Sequence, residues 1–256
     1  MAVRIEDPGR LKSFIDADQL RNAIIAQRVF LPRDKSFFLA NDEKDIEALA
    51  VVENTTDPEE TRSLAMQGSV SEAAKDVVRA LPVGKYWLHL ANEDLLAVFA
   101  SRMRLGWHAR AWLLSLAPGD LRASRTHETR SIDARWAHKI AAVWSTDWNA
   151  DEYVKSRIEN GPSSGIFVDN ELVAWGLTHF ETENVSMLGF LNVLPEYRGR
   201  GLAESITADV AAQVIASGRI PACHVYEHNF SSLGLLQRSG FKRVCRQVWG
   251  DAVTRA

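Results

Sequence analysis

The stretch V-L-P-E-Y-R-G-R-G-L-A, from Val193 to Ala203, decides how this chain is read. An apolar segment feeds it, two glycines and two arginines form its turn, and the amphipathic run from Leu202 to Ser217 follows. That is the order strand, glycine loop, helix. Gly199 and Gly201 let backbone N–H groups converge with no Cβ in the way, and the helix beyond adds its unpaired amides and the positive end of its dipole. The expectation is an anion site, most naturally for a phosphate or pyrophosphate.

Two other phosphate loops fail on single residues. A Walker A loop requires Lys and then Ser or Thr directly after its last glycine, where Leu202 and Ala203 stand here. A dinucleotide fingerprint requires Gly or Ala at its sixth position, and counting from Gly199 that position is Glu204. What remains resembles motif A of the GNAT acyltransferases, Arg/Gln-x-x-Gly-x-Gly/Ala, matched by Arg198, Gly201 and Ala203 with the frequent Pro-x-Tyr ahead of it as Pro195 and Tyr197. By that resemblance the loop Arg198, Gly199, Arg200, Gly201, Leu202 and Ala203 holds the pyrophosphate of coenzyme A.

A second match lies downstream. Asn229-Phe-Ser-Ser232 opens a run carrying Leu235 and Leu236 and closes at Gly240-Phe241, which resembles the family's Asn-x-x-Ser/Ala helix ending in Gly-Phe. The segment parses as a helix on its own terms too, with Asn229 suited to an N-cap and Gly240 to a C′ position.

Composition bounds the rest. The 256 residues allow one large domain or two small ones, and the 46% hydrophobic fraction is that of an ordinary globular chain with a sizeable core. A net charge of −3 and a pI near 6.2 supply no basic field, so neither nucleic acid nor an anionic membrane is an expected partner. The N-terminus lacks a signal-peptide core and no run approaches a membrane span, so the expected location is cytoplasmic. Cys223 and Cys245 lie in short apolar segments outside metal or redox spacings and read as two reduced core thiols. The seven histidines are scattered, and no metal site is expected.

Along the first half, residues 9 to 28 read as a helix, Phe37 to Ala40 and Ile46 to Val52 as strands about the turn Asn41 to Lys44, and Thr55 to Pro58 and Thr61 to Ser69 as a connecting loop. A helix from Ser71 stops at Pro82, Tyr86 to Leu90 is a strand, a helix runs from Asn92 through Met103, and Arg110 to Leu116 is a strand. The second half reads as a short strand Arg130 to Ile132, helices over 134–143 and 150–158, a hairpin over Asp169-Asn170, the strand Asn184 to Val193, the loop and its helix, a strand Ile220 to Tyr226, the Asn229 helix and a strand Phe241 to Trp249. The expected fold class is α/β (α+β): a GNAT acyl-CoA N-acyltransferase fold with a central mixed sheet flanked by helices, in tandem with a degenerate GNAT-like N-terminal half. The corresponding domains are 1–122, without a glycine anion loop, and 123–256, the acetyltransferase domain. Such a tandem resembles the glycine N-acyltransferase-like branch.

Acyl transfer to an amine requires a polarised thioester carbonyl, a neutral amine and a stabilised leaving thiolate. The resemblance implies that Leu191, Asn192 and Val193 pair with pantetheine as though the cofactor were an added strand, and that Asn229 and Ser232 contact its arm or the thiol. Two family features are absent. Met187 stands where many members carry a Glu base, and Leu236 where many carry a Tyr acid; neither can move a proton. The missing Tyr is shared by the glycine N-acyltransferase-like branch and the missing Glu is not. Titratable groups expected near the mouth are His179, Glu181 and Glu183, with Tyr226, Glu227 and His228. Of these, Glu181 or Glu183 is expected to accept the amine proton, and Tyr226 or Ser232 to serve the thiol. The expected activity is acyl transfer from acetyl-CoA or another acyl-CoA to a small-molecule amine or amino acid. The alternatives are a coenzyme A-binding protein without catalysis and an interaction scaffold.

Overall fold

A computed structural model describes residues 1–30, 36–53, 60–144 and 150–255. The chain divides into two compact units, Met1–Leu113 with Val244–Ala256, and Leu114–Arg243.

The first unit begins with β1 (Val3–Ile5), a 3-10 turn at Pro8–Leu11, α1 (Lys12–Asp16) and α2 (Ala23–Phe30). The single helix expected over 9–28 is therefore broken. Buried Asn22 is the reason: its side-chain amide donates to the carbonyls of Phe14 and Ile15, both at 3.2 Å, satisfying groups that a continuing helix would have bonded itself. Next come β2 (Ser36–Ala40) and β3 (Ala48–Glu53), joined by a turn in which Asp42 accepts the Lys44 and Asp45 amides. Thr61–Gly68, expected as a loop, is strand β4. Its polar first half hid it, but Leu64, Ala65 and Met66 are fully buried, and it pairs antiparallel with β3. The expected loop residues 55–58 lie outside the described ones.

Helix α3 (Glu72–Ala80) follows, capped by the Ser71 hydroxyl, then β5 (Lys85–Leu90), parallel to β4, then α4 (Leu95–Arg102) and β6 (Met103–Ser115). β6 starts at Met103, well before the expected Arg110.

In the second unit the short strand expected at 130–132 reduces to one bridge between Arg130 and Gly165. Asp133 caps a 3-10 turn that runs into α5 (Ala137–Trp144), and α6 (Asp151–Asn160) follows. β7 (Ser163–Val168) and β8 (Glu171–Glu181) form the hairpin over Asp169 and Asn170, whose φ values of 50° and 64° make the left-handed turn that matches strand twist. Then come β9 (Val185–Val193), a 3-10 turn at Pro195–Tyr197, α7 (Leu202–Ala216), β10 (Ile220–Tyr226) and α8 (Phe230–Arg238). The strands run in the order β10-β9-β8-β7.

β8 is buried on both faces, which explains its near-continuous apolar run. Trp175 and Leu177 pack with Ile140, Val154 and Ile158 of α5 and α6, whereas Val173 and Ala174 join Ile206 and Val210 of α7. Two helices thus cover one face of the unit and α7 covers the other.

The last strand, β11 (Lys242–Thr254), pairs antiparallel with β5 from Val248↔Leu90 to Val253↔Lys85, completing the first unit in the order β1-β2-β3-β4-β5-β11-β6. The expected domain 123–256 includes this strand, whereas Val244–Ala256 belongs to the first compact unit. The residues after β6 do the converse: Leu116 donates its amide to Pro221 of β10 at 2.9 Å. Each unit is a mixed α/β layer structure with helices against its sheet.

Candidate active site

The site lies inside the second unit, and β9 makes it. β9 pairs in parallel with β10 from Val185↔Ile220 to Leu188↔Cys223, where the ladder ends. Both strands continue, to Val193 and Tyr226, so they part. Against β8 the register slips: three steps along β9, Gly189 to Asn192, oppose two along β8, Leu177 to Trp175. Phe190, inside that bulge, has φ 54°. Such a conformation costs a bulky residue about 1–3 kcal/mol and persists only where packing imposes it. Here the Phe190 ring is held 4.6 Å from Trp144 and 5.4 Å from His179, centroid to centroid. Where β9 and β10 part there is a cavity of about 200 Å³, walled by apolar residues including Leu188, Ile206, Val210 and Leu236.

A second cavity, of about 430 Å³, adjoins it and shares Leu191, Asn229 and Ser232 as walls. One side is the start of α7. Gly201 is its N-cap at φ 79° with no side-chain cap, and Gly199 has φ 75° with open space where a Cβ would stand. The first-turn amides of a 15-residue helix therefore keep no side-chain partner at the cap. The loop is braced from within and behind. Arg198 Nε donates to Val193 O at 3.0 Å, the His127 ring nitrogen lies 2.7 Å from Arg200 O, and Ser205 Oγ accepts the amides of Thr126 and His127, each at 3.2 Å. The brace from Thr126 and His127 was not legible in the sequence.

Most of the expected cofactor residues come together. Leu191, Asn192 and Val193 line the larger cavity from β9, and Arg198, Gly199, Gly201, Leu202 and Ala203 line it from the loop. Asn229 does two jobs, capping α8 through Oδ1 to the Ser232 amide at 3.1 Å while lining both cavities beside Ser232. Arg200 is the exception. Its guanidinium folds back onto Glu196 O at 2.9 Å and over the Tyr197 ring, away from the cavity walls. Arg238 of α8, which no motif indicated, takes a place in the lining with Arg198 and Glu204.

The expected proton-transfer groups divide. Tyr226 lines the smaller cavity and burial pushes its phenol up, so it stays protonated; its ring stacks on His228 at 5.6 Å. Ser232 lines both cavities. Glu181 and Glu183, the expected acceptors of the amine proton, stand outside both linings. Arg157 of α6 holds Glu181 Oε1 at 2.8 Å and Thr178 Oγ1 donates to the same oxygen at 2.8 Å, in a pair whose side chains are only 13% and 16% exposed. A carboxylate so far removed from water requires its cation, and it is directed to α6 rather than to either cavity. Glu183 is exposed in the β8–β9 turn, at the end of β9 remote from the bulge. Glu227 and His228 also stand outside both linings.

Met187 is buried and paired with Ala222, below the point where the strands part, and Leu236 is a buried wall of the smaller cavity. Two other groups stand close to the opening. His179 Nδ1 is 2.6 Å from the Tyr153 hydroxyl, and its pKa is driven down to about 3 by burial, then by the like charges of His224 and Arg157. His224 of β10 lines the smaller cavity. Its one signal in the sequence is a histidine set within the apolar run Ala222 to Val225. Cys223 is a buried free thiol pushed upward by burial. Among the described residues no group of three or more His, Cys, Asp or Glu could hold a metal ion, and no helix is long and apolar enough to cross a membrane.

Residues 163–250, which contain both cavities, match the family model described as FR47-like protein. No curated protein sequence matches the chain. Solved structures do. A Drosophila protein is similar with a TM-score of 0.75 at 14% identity, over 99% of this chain and 98% of its own. An acetyltransferase from the GNAT family of Colwellia psychrerythraea superposes with a TM-score of 0.62 at 12% identity over 100% of both chains. A tandem GNAT protein from the clavulanic acid biosynthesis pathway gives 0.58 at 11% identity, over 98% of this chain and 97% of its own. The chain therefore has the GNAT fold along its length, as the tandem structure has it, and its FR47-like segment is the part that carries the cleft.

Proposed function

We propose that this chain is an acyl-CoA-dependent N-acyltransferase acting on a small amine or amino acid, with acetyl-CoA the first donor to try. One observation carries the reading: a parallel pair that stops at Leu188↔Cys223 and opens onto an α7 N-terminus left uncapped by any side chain. The pyrophosphate of coenzyme A is a dianion suited to those amides, to Gly199 and Gly201, and to Arg198 and Arg238. The pantetheine arm has alternating amide groups, and the parted edges of β9 and β10 offer it strand partners at Leu191 to Val193. The thioester then reaches the smaller cavity, beside Tyr226 and Ser232, either of which can hydrogen-bond the leaving sulfur. The similarity to an acetyltransferase from the GNAT family supports the same chemistry.

The first unit is read as a copy of the same plan that has lost the cofactor. Its order β2-β3-β4-α3-β5-α4-β6 repeats β7-β8-β9-α7-β10-α8-β11. A tandem GNAT neighbour supports this reading.

A second reading, coenzyme A binding without catalysis, is favoured by Met187 and Leu236, which replace the usual base and acid with buried apolar groups. Calorimetry with coenzyme A, followed by thiol release from acetyl-CoA and longer acyl-CoAs over an amine panel, separates the two. Binding with amine-dependent thiol release is the expected result. Binding without release selects the second reading, and no binding removes both.

A further inference from the structure

We propose that His224 is the base that takes the proton from the attacking amine, and that His179 positions it. The inference rests on the acyltransferase reading above. Cys223↔Leu188 is the last pair of the parallel ladder, so His224 is the first residue of β10 beyond it and Gly189 the first of β9. Gly189 has no side chain, and a Cβ there would lie 3.1 Å from His179 Cβ on β8. Gly189, which pairs with Leu177, thus puts no side chain between His179 and His224, and the two imidazoles are close enough for the charge of one to act on the other. Of the two, His224 lines the smaller cavity.

The hydrogen bonds of His179 fix its tautomer. The Tyr153 hydroxyl has one proton, which it donates to the His179 carbonyl at 2.9 Å. Its 2.6 Å contact with His179 Nδ1 must then have Nδ1 as donor, which leaves Nε2 with a lone pair. Rings of Trp144, Phe180 and Phe190 pack around the imidazole and hold its orientation. Burial keeps that ring neutral. A neutral, oriented imidazole with a free lone pair stabilises a second imidazole as it gains charge, which is the assistance a base requires. Glu181, the nearest carboxylate on β8, is already committed to Arg157.

In the step itself, His224 removes one N–H proton from the amine as its nitrogen forms a C–N bond to the thioester carbonyl. The C–S bond then breaks, its electron pair leaves with sulfur, and the proton held on His224 neutralises that thiolate. Amide and free thiol are the products and the imidazole is restored.

The test uses the full chain with acetyl-CoA and whichever amine gives the greatest thiol release. His224→Gln should lower kcat about 100-fold or more while the dissociation constant for coenzyme A stays within about twofold. His224→Ala should regain part of its rate when free imidazole is added. His179→Gln should lower kcat about 10-fold or more, with KM for both substrates little changed. A wild-type rate with His224→Gln within about threefold of it overturns the base assignment alone, and so does loss of coenzyme A binding together with the rate. A wild-type chain that binds coenzyme A and releases no thiol with any amine overturns the acyltransferase reading and this assignment together.

Discussion

Among the described residues each unit holds a parallel strand pair, reached through the same order of elements, and the two pairs end differently. β4 and β5 stay in register at every position from Thr61↔Lys85 to Met66↔Leu90, whereas β9 and β10 part after Leu188↔Cys223. The helices that follow differ in the same sense. Both carry a Glu in the first turn, Glu72 and Glu204, but α3 starts at Ser71, whose own hydroxyl accepts the Ala74 amide at 3.4 Å. α7 starts at Gly201, with no side chain to cap it. A shared topology therefore leaves the two helix starts different. What matters is whether strand edges and helix amides are satisfied from within or left for something else, and the first unit satisfies its own.

The most disruptive way to break this contrast is to close the opening in the second unit. Val225→Trp fills the cavity of about 200 Å³ between the parted strands, at an overpacking cost of about 1–3 kcal/mol. Coenzyme A binding measured by calorimetry should weaken about 100-fold or more; an unchanged affinity would mean that the parted strands are not the pantetheine channel.

Acid acts on the second unit through His179. Its folded-state pKa of about 3 lies below the ordinary 6.5, so the unfolded chain takes the proton first. The stabilisation is complete above pH about 6.5 and is lost as pH falls toward 3, at up to about 1.4 kcal/mol per pH unit. Urea melts followed by tryptophan fluorescence near pH 7 and pH 5 should separate in the wild type and converge in His179→Gln.

Giving α7 a cap like that of α3 sharpens the comparison. Gly201→Ser places a hydroxyl at the cap and a Cβ at φ 79°, and it should weaken coenzyme A binding about 10-fold, roughly 1.4 kcal/mol. The reciprocal change has the smallest effect. Ser71→Ala should cost about 1 kcal/mol in a thermal melt and leave coenzyme A affinity untouched; a change in affinity would break the separation between the two helix starts.

The cofactor half of the candidate site was legible because it is local. A glycine loop between a strand and a helix, and an Asn-capped helix with a Gly-Phe end, are recognised by spacing, and their side chains have no other place to go. Gly240 adds a constraint that is not local: at φ 105° a Cβ there would stand 1.9 Å from Asp120 O, far away in the sequence. The tertiary surroundings of Glu181 and His224 were not legible. Glu181 reads as a solvated turn residue until α6 brings Arg157 against it, and His224 reads as an ordinary strand residue until the ladder stops one position before it. Thr61–Gly68 was missed because its first three residues are polar and its burial comes from neighbours on both sides, β3 and β5.

The sequence by itself determined the α/β class, the glycine loop and its helix, the cap of α8 and the absence of the usual Glu and Tyr at Met187 and Leu236. Those follow from steric freedom at glycine, from side-chain reach to nearby amides and from which groups can carry a proton. Only the tertiary structure decided where the parallel ladder ends, that the last strand completes the first unit, and which histidine meets the cavity. These depend on pairings between residues far apart along the chain, where register and packing, rather than local propensity, decide which backbone and side-chain groups remain unsatisfied.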